Sequence, residues 1–359
     1  MEENKSKNIL LIGEFSGVHT HLKYGLLSHG VSAVIAGDGD VFKNFGMDID
    51  LRAKSMNKYF KLIERLFIEI KFILTLKQNE FSCIQLMGPY ALSEYLPFVF
   101  VRILRLKTDR LVLYAGGEDY YFWRAYRSGY FRYSICDVLS SPGNLSKFEY
   151  GILKRRNIKL SHFVDGIISG SVMYELGYRD HENYLGYLPF PMTIGSNIRR
   201  TKKNIRDSIK VVLPRQVGRE REKGFHFFDQ ALQRFKSEFP DLIDVVEVQN
   251  ESYEKYLELI SGSDVLLDQL YGYDPGMNAL VGLVNGLIVF GGQEPEYINA
   301  VGCSHQNLIN VVPDSDRIYE TMTKVLLDMK AFKPDSWKDS LSKSHDSKFV
   351  ASRFLLLIQ

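Results

Sequence analysis

A chain of 359 residues exceeds what one hydrophobic core usually holds, so two domains are expected. With 45% hydrophobic and 25% charged residues it is ordinary globular material, and 45 Lys plus Arg against 43 Asp plus Glu leaves no surplus for strong attachment to nucleic acid. Three widely spaced cysteines, Cys83, Cys136 and Cys303, speak against a disulfide or zinc framework, and no apolar run reaches the roughly 18 residues that cross a bilayer.

The opening MEENKSKNILLIG carries charges where a signal peptide needs an apolar core. A cytoplasmic protein is expected, with contact at the inner face of a membrane left open. NILLI (Asn8–Ile12) is an apolar run of the buried-strand type; a loop with Gly13 and Gly17, a helical stretch to Ser28 and a strand over 31–36 follow. This βαβ opening begins a Rossmann-like domain, yet its glycines do not complete the Gly-x-Gly-x-x-Gly dinucleotide fingerprint. His19 and His21 fall in the first helical turn, where solvent-facing side chains are the plain expectation.

Residues 57–77 place Tyr59, Leu62, Ile63, Leu66, Phe67, Ile70, Ile73 and Leu74 at helical spacing, with Lys58, Lys61, Arg65 and Glu69 elsewhere. Packing against the first sheet is the expected reason, and an interfacial helix with basic residues is the alternative. The same two readings cover 95–106, where Arg102 and Arg105 accompany a second apolar helix. Strands are expected over 82–87 and 110–115. Gly116 and Gly117 close the second of these, and Glu118 and Asp119 follow where strand ends form clefts; a solvated turn is the other reading. A further strand over 165–169, a helix over 170–176 and a Pro-punctuated strand over 184–191 lead to a polar connection and a boundary near 193.

The second half opens with a strand over 209–213, then Arg215, a charged loop and Lys223-Gly224 before a helix over 225–238. Phe225, Phe228, Leu232 and Phe235 give that helix a core face. A strand over 244–248 runs into Gln249-Asn250 and a helix ending at Ile260. Residues 263–296 read as strand, turn-rich loop, a helix from Gly276 to Gly286, strand, Gly291-Gly292 and the acidic Glu294 and Glu296. In an open α/β sheet this brings the start of the 276 helix and the 291–296 loop to one edge. Unpaired N–H groups and the helix dipole make that start a seat for phosphate; an ordinary βαβ unit without ligand is the other reading. A strand over 308–312, a helix over 314–329 and a closing helix complete the chain.

This order of elements resembles family 4 glycosyltransferases of GT-B fold. The segments that carry it are the strand, Arg and Lys-Gly of 209–224 and the strand, Gly276, helix, Gly286, strand, Gly-Gly and Glu of 263–296. The resemblance implies an α/β fold of GT-B architecture, two Rossmann-like domains facing each other across a cleft. It assigns 1–193 to an acceptor domain, 194–335 to a nucleotide-sugar donor domain, and 336–359 to a terminal helix returning to the first domain. It implies retaining, metal-independent transfer of a sugar from a nucleotide-sugar donor to a glycan or lipid-linked acceptor, as in surface polysaccharide synthesis, with no cofactor and no metal ligand.

By the same resemblance Arg215, Lys223, Gly17, Gly276, Met277 and Asn278 hold the donor diphosphate, since fixed cations stabilise the charge a leaving diphosphate develops. Backbone near Val248, Gln249 and Asn250 meets the base, and Glu118, Asp119 and His19 lie near the acceptor and the reacting carbon. The family's Glu-x7-Glu pattern falls on Tyr273 and Val281, leaving Asp274, Glu294 and Glu296 as carboxylates for the donor sugar. That departure keeps two rivals in play: a sugar-nucleotide epimerase on the same fold, and a non-catalytic donor-binding or partner protein.

Overall fold

A computed structural model describes residues 8–40, 45–140, 145–195, 208–249, 251–329 and 337–359. The chain forms two compact units. Unit 1 comprises Met1–Tyr130, Leu145–Thr193 and Ser347–Gln359; unit 2 comprises Phe131–Asn144 and Ile194–Asp346. A single boundary near 193 therefore omits one feature: a short segment of the first half belongs to unit 2.

In unit 1 the elements run β1 (Asn8–Ile12), α1 (Val18–Ser28), β2 (Ser32–Gly37), β3 (Ile49–Asp50), α2 (Lys58–Thr75), β4 (Phe81–Met87), α3 (Phe98–Arg105), β5 (Thr108–Ala115) and α4 (Tyr120–Arg127). After α5 (Cys136–Leu139), which lies in unit 2, come α6 (Gly151–Phe163), β6 (Gly166–Ser169), α7 (Val172–Tyr178) and β7 (Tyr184–Tyr187). The seven strands are all parallel, in the order β3-β2-β1-β4-β5-β6-β7, and Ile9 sits between Ala33 and Cys83. A parallel sheet is covered on both faces, which is why Ile9, Leu10, Leu11 and Ile12 are all fully buried and NILLI has no polar alternation.

Each helix start has a local cause. Asn57 caps α2 by accepting from the Tyr59 amide (2.9 Å), and Ser171 caps α7 through the Met173 amide (3.2 Å). The last helix of the chain, α14 (Ser347–Leu357), packs on α1 within unit 1. Gly25 permits this contact: a Cβ there would lie 1.9 Å from the Ser347 carbonyl oxygen.

The expectation that the apolar face of α2 packs into the core fails for half of that face. Phe72 and Ile73 are buried and Leu66 and Ile70 pack against the core, but Tyr59, Ile63, Phe67 and Leu74 are exposed, at 56% or more. Glu69, expected on the polar face, is instead buried. The apolar arc of the helix is wider than its contact with the core, which takes only the flank with Leu66, Ile70 and Ile73, and periodicity alone does not tell which flank is used.

Unit 2 continues with β8 (Ile209–Arg215), α8 (Phe225–Glu238), β9 (Ile243–Gln249), α9 (Tyr253–Ser261), β10 (Val265–Leu267), α10 (Met277–Val284), β11 (Ile288–Gly291), α11 (Pro295–Val301), β12 (Leu308–Asn310), α12 (Ser315–Leu327) and α13 (Trp337–Ser344). Its five-stranded parallel sheet has the order β12-β11-β10-β8-β9. Phe225, Phe228 and Phe235 of α8 and Phe290 of β11 are buried in its core, as the helical spacing of 225–235 predicts. Among the described residues no helix is long and apolar enough to cross a membrane.

Candidate functional site

Both sheets change winding direction once. In unit 1 the chain leaves β1 for β2 on one side and returns to β4 on the other; in unit 2 it leaves β8 for β9 and returns to β10. The crevice beyond the carboxyl ends of the strands at such a point is where open α/β sheets bind ligands.

In unit 1 this edge holds a cleft of about 380 Å³, lined by Gly13, Asp38, Arg52, Lys61, Arg65 and Tyr90 among others. Glu69 lies at its base, accepting from Arg65 Nε (3.0 Å) and from the Ser93 amide (2.8 Å). Burial raises the Glu69 pKa, and the Arg65 guanidinium pulls it back. With Glu14, Asp38 and Glu69 set among Arg52, Lys61 and Arg65, the cleft is polar and close to charge balance, which suits a hydroxylated ligand.

The start of α1 does not offer its amides to an outside anion. Glu14 fills that place: its carboxylate accepts from the amides of Phe15 (2.7 Å), His19 (3.2 Å) and Thr20 (2.9 Å) and from the Thr20 hydroxyl (2.7 Å). Gly17, at φ 89°, supplies the left-handed turn into the helix. The expectation of solvent-facing histidines is corrected here. His19 is fully buried with Nδ1 2.7 Å from the Gly13 carbonyl oxygen, His21 is buried against Thr193, and burial takes both pKa values down to about 4.

Glu118 and Asp119 part company. Asp119 is fully buried and caps α4, accepting from the Phe122 amide (2.9 Å) and the Tyr178 hydroxyl (2.6 Å). Burial raises its pKa to about 6 against the pull of those donors. Its position is that of a structural cap rather than of a group meeting an acceptor. Glu118 is half-buried and accepts from the Trp123 indole (3.3 Å).

In unit 2 the sheet edge joins two elements that are remote in sequence. The Leu270 amide donates to the Lys223 carbonyl (3.1 Å), so the loop carrying the lysine lies on the loop that leads from β10 to α10. Gly224, at φ 76°, packs on Leu270, which a Cβ would meet at 3.0 Å. Asp268, missed at the sequence level, takes the amides of Gln269 and Ala279 and feels the Lys223 charge; burial raises its pKa and the lysine opposes that. The Gly276 N-cap brings no side-chain bond, and Met277 and Asn278 form the first turn of α10.

Arg215 is less available. Its guanidinium is bound by Asp229 and by Glu247 (3.0 Å), a clamp from the end of β8 onto α8 and β9. Burial lowers its pKa, and the two carboxylates together more than offset that. Val248 is buried at the end of β9 and Gln249 beside it is exposed; Asn250 lies outside the described residues.

The carboxylates expected at the donor sugar are gathered by a residue that sequence patterns do not single out. Arg132, from the segment joined to unit 2, binds Glu294 (2.8 Å) and Glu296 (2.9 Å), and its guanidinium carbon lies 4.8 Å from the centroid of the Tyr273 ring. Its amide donates to the Tyr273 hydroxyl. Tyr133 donates to Glu294 (2.6 Å), and burial and that carboxylate raise its pKa. Arg132 holds the Glu296 carboxyl below the usual range. Tyr273 thus uses its hydroxyl to hold this segment, while Val281 is buried in α10 with no polar side-chain atom to offer. Asp274, next to Tyr273 in the chain, is buried. Gly292 lets the 291–296 loop approach: a Cβ there would lie 2.2 Å from the Gly272 carbonyl oxygen.

No protein-family model matches the chain, and no curated protein matches it. Solved structures do. Sucrose-phosphate synthase from Thermosynechococcus elongatus superposes with a TM-score of 0.62 at 13% identity, covering 98% of each chain. HepE from Anabaena, in complex with UDP and glucose, gives 0.60 at 12% identity, again over 98% of each chain. UDP-GlcNAc 2-epimerase from Methanocaldococcus jannaschii gives 0.53 at 10% identity over 98% of this chain and 99% of its own. The two parallel sheets, matched along the whole chain to such structures, give this protein the GT-B fold.

Proposed function

We propose that the chain is a glycosyltransferase using a nucleotide-diphosphate sugar, with unit 2 as the donor unit and unit 1 as the acceptor unit. The observation that carries this reading is the packing of the Lys223 loop on the loop that opens α10. A diphosphate at that edge gains a fixed ammonium and the first-turn amides of Met277 and Asn278, which stabilise the charge growing on it as the glycosidic bond breaks. Arg215 adds to this only by exchanging a carboxylate of its clamp for the phosphate. Asp274, Glu294 and Glu296 are the acceptors for donor-sugar hydroxyls, with Arg132 fixing the last two.

The resemblance of 209–296 to family 4 enzymes supports retaining, metal-independent transfer and a role in building a surface glycan. HepE, solved with UDP and glucose, makes UDP the first nucleotide to test. The similarity to a UDP-GlcNAc 2-epimerase favours a second reading, in which the same bond is cleaved without an acceptor. Labelled UDP-glucose and UDP-N-acetylglucosamine, incubated with and without a glycolipid extract, separate the two. Label in the glycolipid with matching UDP release is expected. An epimerised donor formed without extract would establish the rival, and bound donor with neither product would leave a donor-binding protein.

A further inference from the structure

Helix α2 carries an apolar stripe that the core of unit 1 does not use. Phe60, Ile63, Phe67 and Leu74 are each more than half exposed, and at about 100° per residue they fall within an arc of roughly 60°. With the half-buried Ile70 among them they repeat at alternate steps of three and four residues, the spacing of a seam along which one helix pairs with another. Tyr59 beside the stripe is also more than half exposed, as are Val99 on the adjoining α3 and Leu106 just past its end. These side chains present on the order of 700 Å² per copy, close to the roughly 800 Å² that each partner gives to a stable interface.

The charges at the border of the stripe select its partner. Glu64 and Lys71 stand along one edge, within roughly the next 40° of the helix, and Phe67 lies midway between them in the chain. The Ser55 amide donates to Glu64 (2.8 Å) and fixes that carboxylate at the edge. One acid and one base do not make a surface of single sign, as a charged lipid or a charged peptide would require. They do make a self-complementary one. When two copies of α2 lie antiparallel and cross at Phe67, Glu64 of each copy comes opposite Lys71 of the other, as a two-fold axis demands.

We infer that the chain forms a symmetric dimer in which α2 pairs antiparallel with α2 of a second copy. Lys61, Arg65 and Glu69, which line the unit 1 cleft, lie on the opposite side of the helix, so the pairing leaves the cleft of each copy uncovered. The inference does not rest on the transferase reading.

The test is sedimentation equilibrium of the full chain at low micromolar concentration, with neither donor nor lipid present. The mass of two chains is expected. Phe60→Ser/Phe67→Ser weakens association by about a hundredfold or more. Lys71→Glu, which sets like charges against each other twice, weakens it about tenfold, and Glu64→Lys/Lys71→Glu, which restores opposite charges, recovers it. Phe60, Phe67 and Lys71 are exposed, and melting curves check that the variants fold. A native chain with the mass of one, a dimer that Phe60→Ser/Phe67→Ser leaves intact, or a double charge reversal no better than Lys71→Glu would overturn the proposal. A native monomer that instead co-sediments with lipid vesicles through Phe60 and Phe67 would overturn it too, and give the face to a bilayer. None of these outcomes depends on transfer activity, so failure here and failure of the transferase reading are separate results.

Discussion

The two units solve the same problem at the same place, and differ in one charge. Each puts a buried carboxylate at the start of a helix beside its switch point: Glu14 at α1 and Asp268 at α10. Glu14 takes three amides and a hydroxyl, whereas Asp268 takes two amides and has the Lys223 ammonium beside it. A helix start filled by its own anion repels a second one. Where a cation balances that anion, a phosphate can still be stabilised, so on the proposed reading the same device closes one helix start to phosphate and leaves the other open.

Removing the anion from unit 1 is the strongest way to break this comparison. Glu14→Ala leaves the α1 amides without their acceptor and is expected to cost about 4 kcal/mol. Chemical denaturation with hydrogen exchange on α1 measures it, and nucleotide affinity is expected to stay unchanged. If Glu14→Ala instead creates a phosphate site at α1 without loss of stability, the contrast is mistaken.

Asp119 gives the next effect, through pH. Its folded pKa of about 6 lies above the ordinary 3.8, so its contribution is fully present below the lower value and is lost as pH rises through the upper one. The stability difference between the native chain and Asp119→Asn is therefore expected to fall by about 2 kcal/mol between pH 4 and 7. A flat difference in urea titrations across that range would place the carboxyl in water.

Smaller changes sharpen the contrast from the side of unit 2. Gly292→Ala drives a methyl into the Gly272 carbonyl and is expected to cost about 2 kcal/mol in melting experiments, loosening the 268–276 loop. Arg132→Ala frees Glu296 and leaves Glu294 held by Tyr133 and Asn310 alone, and is expected to change affinity for a sugar nucleotide about fivefold while sparing the free nucleotide. Equal effects on both ligands would move those carboxylates away from the sugar.

Much of the fold is legible because parallel sheets write long apolar runs and glycine stops into sequence. NILLI, the 225–235 helix face and the Gly276-to-Gly286 helix all lie where their patterns place them. The site is legible only in part. Lys223 and the α10 start stand out in separate segments, but no local pattern says that their loops touch. Arg132 and Glu294 meet across a long stretch of chain, and only tertiary structure pairs them. Asp268 offers a weaker signal, a carboxylate at a strand end just before a helix, which is a recurrent cap. Which flank of the apolar arc of α2 meets the core is not written in the sequence, because that arc is wider than the contact. The histidines of α1 defy the solvent-facing expectation because His19 packs on the Gly13 carbonyl and His21 on Thr193, a partner remote in sequence.

The most direct test of Lys223 as the phosphate anchor is calorimetric titration of UDP, GDP and ADP into the native chain, Lys223→Ala and Glu14→Gln. One nucleoside diphosphate is expected to bind the native chain and Glu14→Gln alike, and to bind Lys223→Ala about thirtyfold more weakly. Undiminished binding in Lys223→Ala, or no binding of any of the three to the folded native chain, would contradict it.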